Sequence, residues 1–206
     1  MTKTERYAGG APEWDAEYAA GLHDRYDGLS ESARLGIVSA YAAKMAAGGA
    51  GLDMGAGAAV LAPLLSGAQA PARYLAVDFS QVAIDRGVEK LGSLQNGPAQ
   101  AEARCDSLEN FTAGDERFDL IIFNEVLFFI EDAAAEVERY RRYLKPGGAV
   151  VISLHLPNRP ESGAHQKFEK LWRALDPKWK TLDDVALESR TKKNLWRLRL
   201  IQPTAD

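Results

Sequence analysis

The chain has 206 residues, of which 46% are hydrophobic and 26% charged, and its formal net charge is −4. This composition excludes a disordered or fibrous chain. An acidic balance also argues against a protein that binds the nucleic-acid backbone, which requires a basic face. No segment reaches the roughly 18 apolar residues that span a bilayer, and the first thirty residues lack the apolar run of a secretory signal. The single cysteine, Cys105, excludes an internal disulfide. We therefore expect a cytoplasmic protein with neither a membrane nor a nucleic acid as partner.

In chain order, two helical segments are predicted within residues 14–45, and short apolar runs then alternate with amphipathic stretches. This alternation is typical of βαβ units and a mostly parallel sheet. The predicted strands comprise residues 51–54, 74–77, 100–104, 118–124, 149–154, 181–189 and 195–201. The helices predicted between and after them contain residues 59–65, 82–88 with Ser80 as N-cap, 131–143, and 168–175 after a loop with Pro157 and Pro160.

These elements predict an α/β protein with a doubly wound, seven-stranded, mostly parallel sheet, an antiparallel C-terminal strand and a helical N-terminal cap. No linker divides the chain, so we expect a single domain over residues 1–206. Within it, residues 1–46 form the cap and residues 47–206 the core.

A glycine-rich turn lies where the first core strand passes to the following segment, at Gly55-Ala56-Gly57. Glycine there permits a positive φ and the close approach of a ligand to the backbone. Asp78 ends the second strand, 21 residues after Gly57, where an acid can accept hydrogen bonds from both hydroxyls of a ribose. The combination predicts that the protein binds a cofactor containing a nucleoside.

Two common nucleotide-binding patterns are not met by this turn. A dinucleotide fold requires a third glycine where this chain has Val60, and a P-loop requires a lysine after the turn. A different cofactor is therefore indicated.

Five segments, in this order, resemble the motifs of the class I S-adenosylmethionine-dependent methyltransferases. They are motif I at residues 51–57, the ribose-binding acid Asp78, the adenine-binding pair within residues 105–107, motif IV at residues 118–124 and the turn at residues 144–148. The resemblance is to enzymes of the small-molecule type, including nodulation-factor-type N-methyltransferases. It implies a Rossmann-like fold, S-adenosyl-L-methionine as cofactor and S-adenosyl-L-homocysteine as product.

One departure from the family pattern concerns Ala59, which stands where these enzymes often have a third glycine. Alanine is the smallest alternative, so we expect cofactor binding to survive with a slightly altered start of the following helix.

The resemblance also implies a role for each motif residue at the carboxyl edge of the sheet. The backbone of residues 55–57 would approach the methionine part of the cofactor. Asp53 would orient that turn or the cofactor's amino group, and Asp78 would hold the ribose. The complete set of cofactor-binding residues would be Asp53, Gly55, Ala56, Gly57, Asp78, Phe79 against the adenine, Asp106 and Ser107 at its edge, and Asn124 below the sulfonium.

Methyl transfer needs an in-line nucleophile, and an amine or hydroxyl acceptor must also lose a proton. Glu125, directly after motif IV, and His155, after the fifth core strand, are the candidate catalytic bases. The alternatives are that Glu125 is a helix first-turn acid and that His155 is a loop histidine. Aromatic residues are expected to form the acceptor pocket or cap, namely Trp14, Tyr18, Tyr26 and Phe128. No residue spacing indicates a metal site.

The leading hypothesis is thus a methyltransferase that acts on a nitrogen or oxygen atom of a small-molecule acceptor. A protein or RNA methyltransferase is the alternative, with the basic residues of the C-terminal region as its recognition surface. An NAD(P)-dependent oxidoreductase and a non-catalytic adenosyl-binding protein are more remote. Residue types leave the acceptor, the methylated atom and the oligomeric state open.

Overall fold

A computed structural model describes residues 10–157 and 163–204 of the chain. The described α-helices are α1 (Ala11–Ala19), α2 (Leu29–Met45), α3 (Gln81–Gly92), α4 (Ala133–Tyr140) and α5 (Ala164–Leu175). The strands are β1 (Ala50–Met54), β2 (Arg73–Asp78), β3 (Gln100–Cys105), β4 (Phe118–Asn124), β5 (Leu144–Leu156), β6 (Trp179–Ser189) and β7 (Asn194–Pro203).

The seven strands form one sheet in the order β3-β2-β1-β4-β5-β7-β6. The first five strands are parallel, whereas β7 pairs antiparallel with both β5 and β6. The strand order reverses between β1 and β4, and the crevice beyond the carboxyl ends of such strands is the usual ligand site of an open α/β sheet. The predicted doubly wound, mostly parallel sheet is confirmed.

Helices cover both faces of this sheet, which explains why its central strands are buried along their length. Ile121 and Val150 belong to the same buried cluster as α4 and α5. Leu120, Ile122 and Val151 belong to the cluster that contains the buried side of α2. The alternation of neighbouring residues between the two clusters follows the two-residue period of a strand.

The prediction of a helix over residues 59–65 is wrong. This stretch forms turns and the short 3₁₀ segments Ala62–Leu64 and Gly67–Gln69. Ala59 has φ +51°, in the left-handed region that favours glycine, and Pro63 has no NH to donate to a helical hydrogen bond. The alanine that replaces the family's third glycine therefore adopts the conformation that usually selects glycine.

Other boundaries also differ from the predictions. The helix predicted over residues 131–143 is shorter, because the Asp132 side chain caps it at Ala135 and its last turn is 3₁₀. The turn predicted to precede the fifth strand lies inside β5, where the register with β4 shifts after Phe118. The N-cap prediction is confirmed, since Ser80 Oγ accepts a hydrogen bond from the Ala83 NH. Pro160, in the predicted loop, lies outside the described residues.

Residues 10–27, which belong to the predicted N-terminal cap, are attached to α3 by polar contacts, whereas α2 packs against the sheet. Asp15 accepts hydrogen bonds from the Ser80 hydroxyl at 2.6 Å and from the Val82 NH at 3.2 Å. Asp24 pairs with Arg86 at 2.9 Å. These contacts hold α1 above the carboxyl ends of β1 and β2. None of the helices described in residues 10–157 and 163–204 is long and apolar enough to cross a membrane.

Candidate functional site

A cavity of about 230 Å³ lies beyond the carboxyl ends of β1, β2 and β4, beneath the cap. Most of the predicted catalytic, cofactor-binding and cap residues line this cavity. They are Trp14, Tyr18, Tyr26, Gly55, Ala56, Gly57, Asp78, Phe79, Asp106, Ser107, Asn124 and Glu125. Three predicted residues, Asp53, Phe128 and His155, do not line it.

The glycine turn is tied to the neighbouring strand by its own backbone. The NH groups of Gly55 and Ala56 both donate to the Val77 carbonyl, at 2.8 and 3.0 Å. Gly55 has φ +70°, and a Cβ built on it would lie 2.6 Å from Val126 Cγ2. The turn is therefore held close against the segment after β4, in a conformation that only glycine adopts without strain.

Gly57 lies against the predicted cap, on the side of Tyr18. Its φ is +55°, and a Cβ built there would lie 2.5 Å from the Tyr18 hydroxyl oxygen. Tyr18 is buried, and burial raises the pKa of its hydroxyl, so the side chain stays neutral. The missing side chain of Gly57 thus makes room for an aromatic residue of α1.

Asp78 is almost completely buried at the end of β2, and both carboxyl oxygens accept backbone hydrogen bonds. The Gly57 NH donates at 2.9 Å and the Ser80 NH at 3.0 Å. Burial raises the pKa of Asp78, and these hydrogen bonds oppose the shift. Each oxygen retains a lone pair, which can accept a hydrogen bond from a hydroxyl group of a ligand in the cavity.

Asp106 and Ser107 line the cavity next to Asp78. The Asp106 NH donates to the Asp78 carbonyl at 3.0 Å, which continues the pairing of β2 and β3 beyond the strand ends. The Asp106 carboxylate accepts from Arg104 at 3.0 Å, and the Arg104 guanidinium stacks over Phe111 at 4.3 Å. The salt bridge fixes the orientation of the Asp106 carboxylate.

Arg34 of α2 is a cavity residue that the sequence analysis missed. Its guanidinium is only 1% exposed; it donates to Glu31 at 2.9 and 3.0 Å and also to the Asn124 side-chain oxygen. The available signal was helical spacing, because Glu31 and Arg34 share the inward face of α2 with Leu35 and Val38. A pair of opposite charges on an apolar helix face indicates a buried ion pair.

Glu125 follows β4 with φ +63°, and the turn directs its carboxyl group inward. The carboxyl accepts hydrogen bonds from the Ser153 hydroxyl and from the His155 NH, both at 3.0 Å. Burial raises the pKa of Glu125 to about 7, and the nearby charge of Arg34 limits the shift. A carboxyl group with this pKa can accept or release a proton near neutral pH.

A second cavity, of about 760 Å³, adjoins the first. Trp14, Tyr26, Glu125 and Phe129 line both cavities. Phe128 and His155 line the second cavity rather than the first, and the His155 ring lies edge-on to Trp196 at 5.9 Å. Both predicted bases therefore line the second cavity, but only Glu125 also lines the first.

Asp53 is buried within β1, beneath the glycine turn. One carboxyl oxygen accepts a hydrogen bond from the Tyr74 hydroxyl at 2.7 Å. The other oxygen is buried and has no hydrogen-bond partner among the described residues. Burial raises the pKa of Asp53 to about 7. The strand directs this side chain to the sheet face that contains Tyr74 and that α2 covers, and not to the cavity wall. Within the part of the chain that the structure describes, no group of three His, Cys, Asp or Glu side chains is arranged to hold a metal ion.

The methyltransferase domain family matches residues 28–196, so the chain belongs to this family. The comparison with curated protein sequences found no significant match. Among solved structures, the N-methyltransferase NodS from Bradyrhizobium japonicum WM9, in complex with S-adenosyl-L-homocysteine, superposes with a TM-score of 0.69 at 18% identity. That match covers 98% of this chain and 96% of NodS.

Two further solved structures share the fold. The [4+2]-cyclase SpnF has a TM-score of 0.67 at 15% identity, over 84% of this chain and 81% of its own. A SAM-dependent methyltransferase from Thiobacillus denitrificans, in complex with S-adenosyl-L-homocysteine, has a TM-score of 0.61 at 13% identity, over 82% and 90%. The Rossmann-like methyltransferase fold that the motifs implied is confirmed.

Proposed function

We propose that the protein is a class I S-adenosylmethionine-dependent methyltransferase that transfers a methyl group to a nitrogen or oxygen atom of a small-molecule acceptor. The observation that carries the proposal is the unit formed by the glycine turn and Asp78 at the wall of a cavity that adjoins a second, larger one. The first cavity would hold the cofactor, with Asp78 on its ribose. The family membership and the shared fold support this assignment.

The charges of the first cavity fit the cofactor. Four acids line the cavity, Asp78, Asp106, Glu109 and Glu125, together with a single basic residue, Arg34. An anionic wall favours the positively charged sulfonium of S-adenosylmethionine over its neutral thioether product.

Individual residues have roles that follow from their positions. Asp78 and Asp106 would accept hydrogen bonds from the ribose hydroxyls and the adenine amino group, with Phe79 and the Ser107 backbone beside the adenine. Arg34 would attract the carboxylate of the methionine part, since guanidinium groups form strong charge-assisted hydrogen bonds with carboxylates. Asn124, which Arg34 orients, would lie below the sulfonium.

When bound, the cofactor supplies an already activated methyl group on its sulfonium. The protein therefore has to hold the acceptor in line, exclude water and remove a proton. Positioning alone contributes on the order of 7–11 kcal/mol to such a reaction. We assign proton removal to the Glu125 carboxyl, which Ser153 and the His155 NH hold at the boundary of the two cavities. The His155 ring would contact the acceptor, and Asp53 would support the turn from below.

The cofactor assignment is tested by calorimetry with S-adenosylmethionine, S-adenosylhomocysteine, 5′-methylthioadenosine and NAD. We expect the first two to bind and NAD not to bind; preferential binding of NAD would overturn the proposal. Replacing Arg34 with Lys should reduce the affinity for S-adenosylhomocysteine by about tenfold, because lysine forms one charge-assisted hydrogen bond fewer. Methylthioadenosine, which has no carboxylate, should lose less affinity, through the altered position of Asn124 alone. Arg117→Lys, on an exposed residue outside both cavities, is the matched control.

The acceptor size is tested separately. A protein or RNA acceptor would extend beyond the cavity and would need an exposed recognition surface. Incubation with labelled S-adenosylmethionine and either a metabolite extract or denatured cell protein and RNA separates the two cases. Label found mainly in the macromolecular fraction would replace the small-molecule proposal with the alternative.

A further inference from the structure

The second cavity has a charge gradient from its inner end to its mouth. Glu31 and Glu125 lie at the inner end, where Glu31 is only 9% exposed. The basic residues Arg25 and Lys192 line the same cavity but are exposed to solvent, which places them toward the mouth, and the partly exposed Glu17 lines the cavity as well. These three outer residues together carry a net charge of +1, whereas the two acids at the inner end are negative.

The two inner acids differ in how their charge is balanced. Glu31 forms a buried salt bridge with Arg34 at 2.9 Å. Glu125 accepts only neutral donors among the described contacts, the Ser153 hydroxyl and the His155 NH. When Glu125 is ionised, the neighbouring group of Glu31, Arg34 and Glu125 carries a net charge of −1, which a cation at the boundary between the cavities can neutralise.

Aromatic rings surround the same boundary. Trp14 and Phe129 lie perpendicular to each other with their centroids 5.1 Å apart, and both line the two cavities. Tyr26 also lines both cavities, and the His23 ring stacks between Tyr26 and Trp14, at 5.7 and 5.1 Å. Aromatic faces beside a carboxylate attract an alkylammonium group through cation–π contacts, whereas a neutral hydroxyl gains nothing comparable.

Resting on the proposed function, we infer that the second cavity is the acceptor site and that its acceptor is an amine, bound as an ammonium ion with its nitrogen toward Glu125. The basic residues at the mouth repel the ammonium group, so they favour the orientation in which the amine points inward. The remainder of the acceptor then lies among Phe128, Trp196 and the exposed basic side chains.

The proton and electron balance follows from this placement. The ionised Glu125 carboxylate takes one proton from the ammonium group and leaves a neutral amine. The amine lone pair forms a bond to the methyl carbon, and the carbon–sulfur bond breaks with its electron pair remaining on sulfur. The product leaves as a methylated ammonium ion, and Glu125 returns its proton to solvent.

The test uses the full chain loaded with S-adenosylhomocysteine, and a panel of aryl-alkyl amines with the alcohols of the same carbon skeletons. Quenching of the fluorescence of Trp14 and Trp196, which line the cavity, reports binding. We expect each amine to bind at least about tenfold more tightly than the alcohol of the same skeleton, because one charge-assisted hydrogen bond contributes about this factor. With S-adenosylmethionine, mass spectrometry should detect N-methylated and not O-methylated products.

Variants separate the inference from the proposed function. Glu125→Gln should reduce the preference for amines to below about threefold while S-adenosylhomocysteine still binds. The control is Glu138→Gln, a carboxylate that bonds Trp179 outside both cavities, and it should retain the full preference. Alcohols that bind or react as well as the amines, or amines that neither bind nor react, would overturn the inference. A wild-type protein that does not bind S-adenosylhomocysteine would instead refute the proposed function.

Discussion

An oxygen of the Asp78 carboxyl group accepts a 2.9 Å hydrogen bond from the NH of Gly57. The acid that ends β2 therefore holds the turn that follows β1, and the Ser80 NH fixes its second oxygen. The glycine turn and the acid, 21 residues apart in the chain, form one structural unit. A substitution in either is consequently expected to affect the other.

Asp78→Asn is expected to reduce S-adenosylhomocysteine affinity by about tenfold or more, because hydrogen bonds to a charged group contribute about 1.5–3 kcal/mol. The amide has one acceptor oxygen, so either the Gly57 NH or the Ser80 NH also loses its partner. We therefore expect a smaller loss of about 1–2 kcal/mol in the free energy of unfolding. Calorimetry and urea unfolding measure the two effects. Asp85→Asn, on the exposed side of α3, is the control. Wild-type affinity would remove Asp78 from the binding site.

Gly57→Ala tests the contact between the turn and the cap. The added Cβ would lie 2.5 Å from the Tyr18 hydroxyl, so we expect Tyr18 to be displaced and S-adenosylhomocysteine affinity to fall by about tenfold. Gly114→Ala is a matched control, because Gly114 has nearly the same φ, +58°, with no atom within 4 Å of the added group. The Gly114→Ala variant should be destabilised only by the left-handed conformation of the new alanine, by about 1–2 kcal/mol.

Combining Gly57→Ala with Tyr18→Phe distinguishes the clash from the backbone strain. Without the hydroxyl, the nearest remaining ring atom is 3.5 Å from the added Cβ. The double variant should therefore regain most of the lost affinity. An equal defect in the single and double variants would show that φ, and not Tyr18, accounts for the loss.

Glu125→Gln tests the proposed base. The carboxyl must be ionised to take a proton, and burial raises its pKa to about 7, so kcat/KM should increase as the pH rises through about 7. The glutamine variant should lose this acidic limb and about 10²–10⁴-fold in turnover. Arg34, Glu31 and His155 surround this carboxyl and remain unchanged in the variant. A limb near pH 7 that persists in the variant would assign it to another group.

Asp53→Asn is expected to change the pH dependence of stability. The folded state raises the pKa of Asp53 from 3.8 to about 7, so the native protein binds more protons than the unfolded chain between these values. The wild type therefore loses stability from this group as the pH rises through that interval, whereas the asparagine variant does not. Urea unfolding at pH 5 and pH 8 should show the variant gaining about 2–4 kcal/mol relative to the wild type.

The control for this measurement is Asp115→Asn, since Asp115 is exposed. The stability difference between that variant and the wild type should be the same at both pH values. A pH-independent difference for Asp53→Asn as well would show that the buried carboxyl does not titrate in this range.

The strands and the edge at which the site lies could be predicted from the sequence, because both depend on local patterns. The apolar run of β4 requires burial on both faces, and parallel strands place their carboxyl ends at one edge. The turn residues, Asp78, Asp106 and Asn124 therefore had to lie near one another once the sheet was predicted. Apolar spacing wrongly predicted a helix after the turn, where the positive φ of Ala59 and the missing NH of Pro63 prevent one.

Which side chains form the cavity wall was decided by tertiary structure. Arg34 meets Asn124 across 90 positions of the chain, and their contact exists only because α2 packs on the sheet. Asp53 is only two residues before Gly55 in the sequence, yet β1 directs its side chain to the sheet face that contains Tyr74. The sequence by itself determined the elements, the turn and the acids at the strand ends, because hydrophobic periodicity and backbone sterics act over a few residues. The cavity wall, the raised pKa of Glu125 and its contact with His155 depend on burial, which only the packing of distant segments produces.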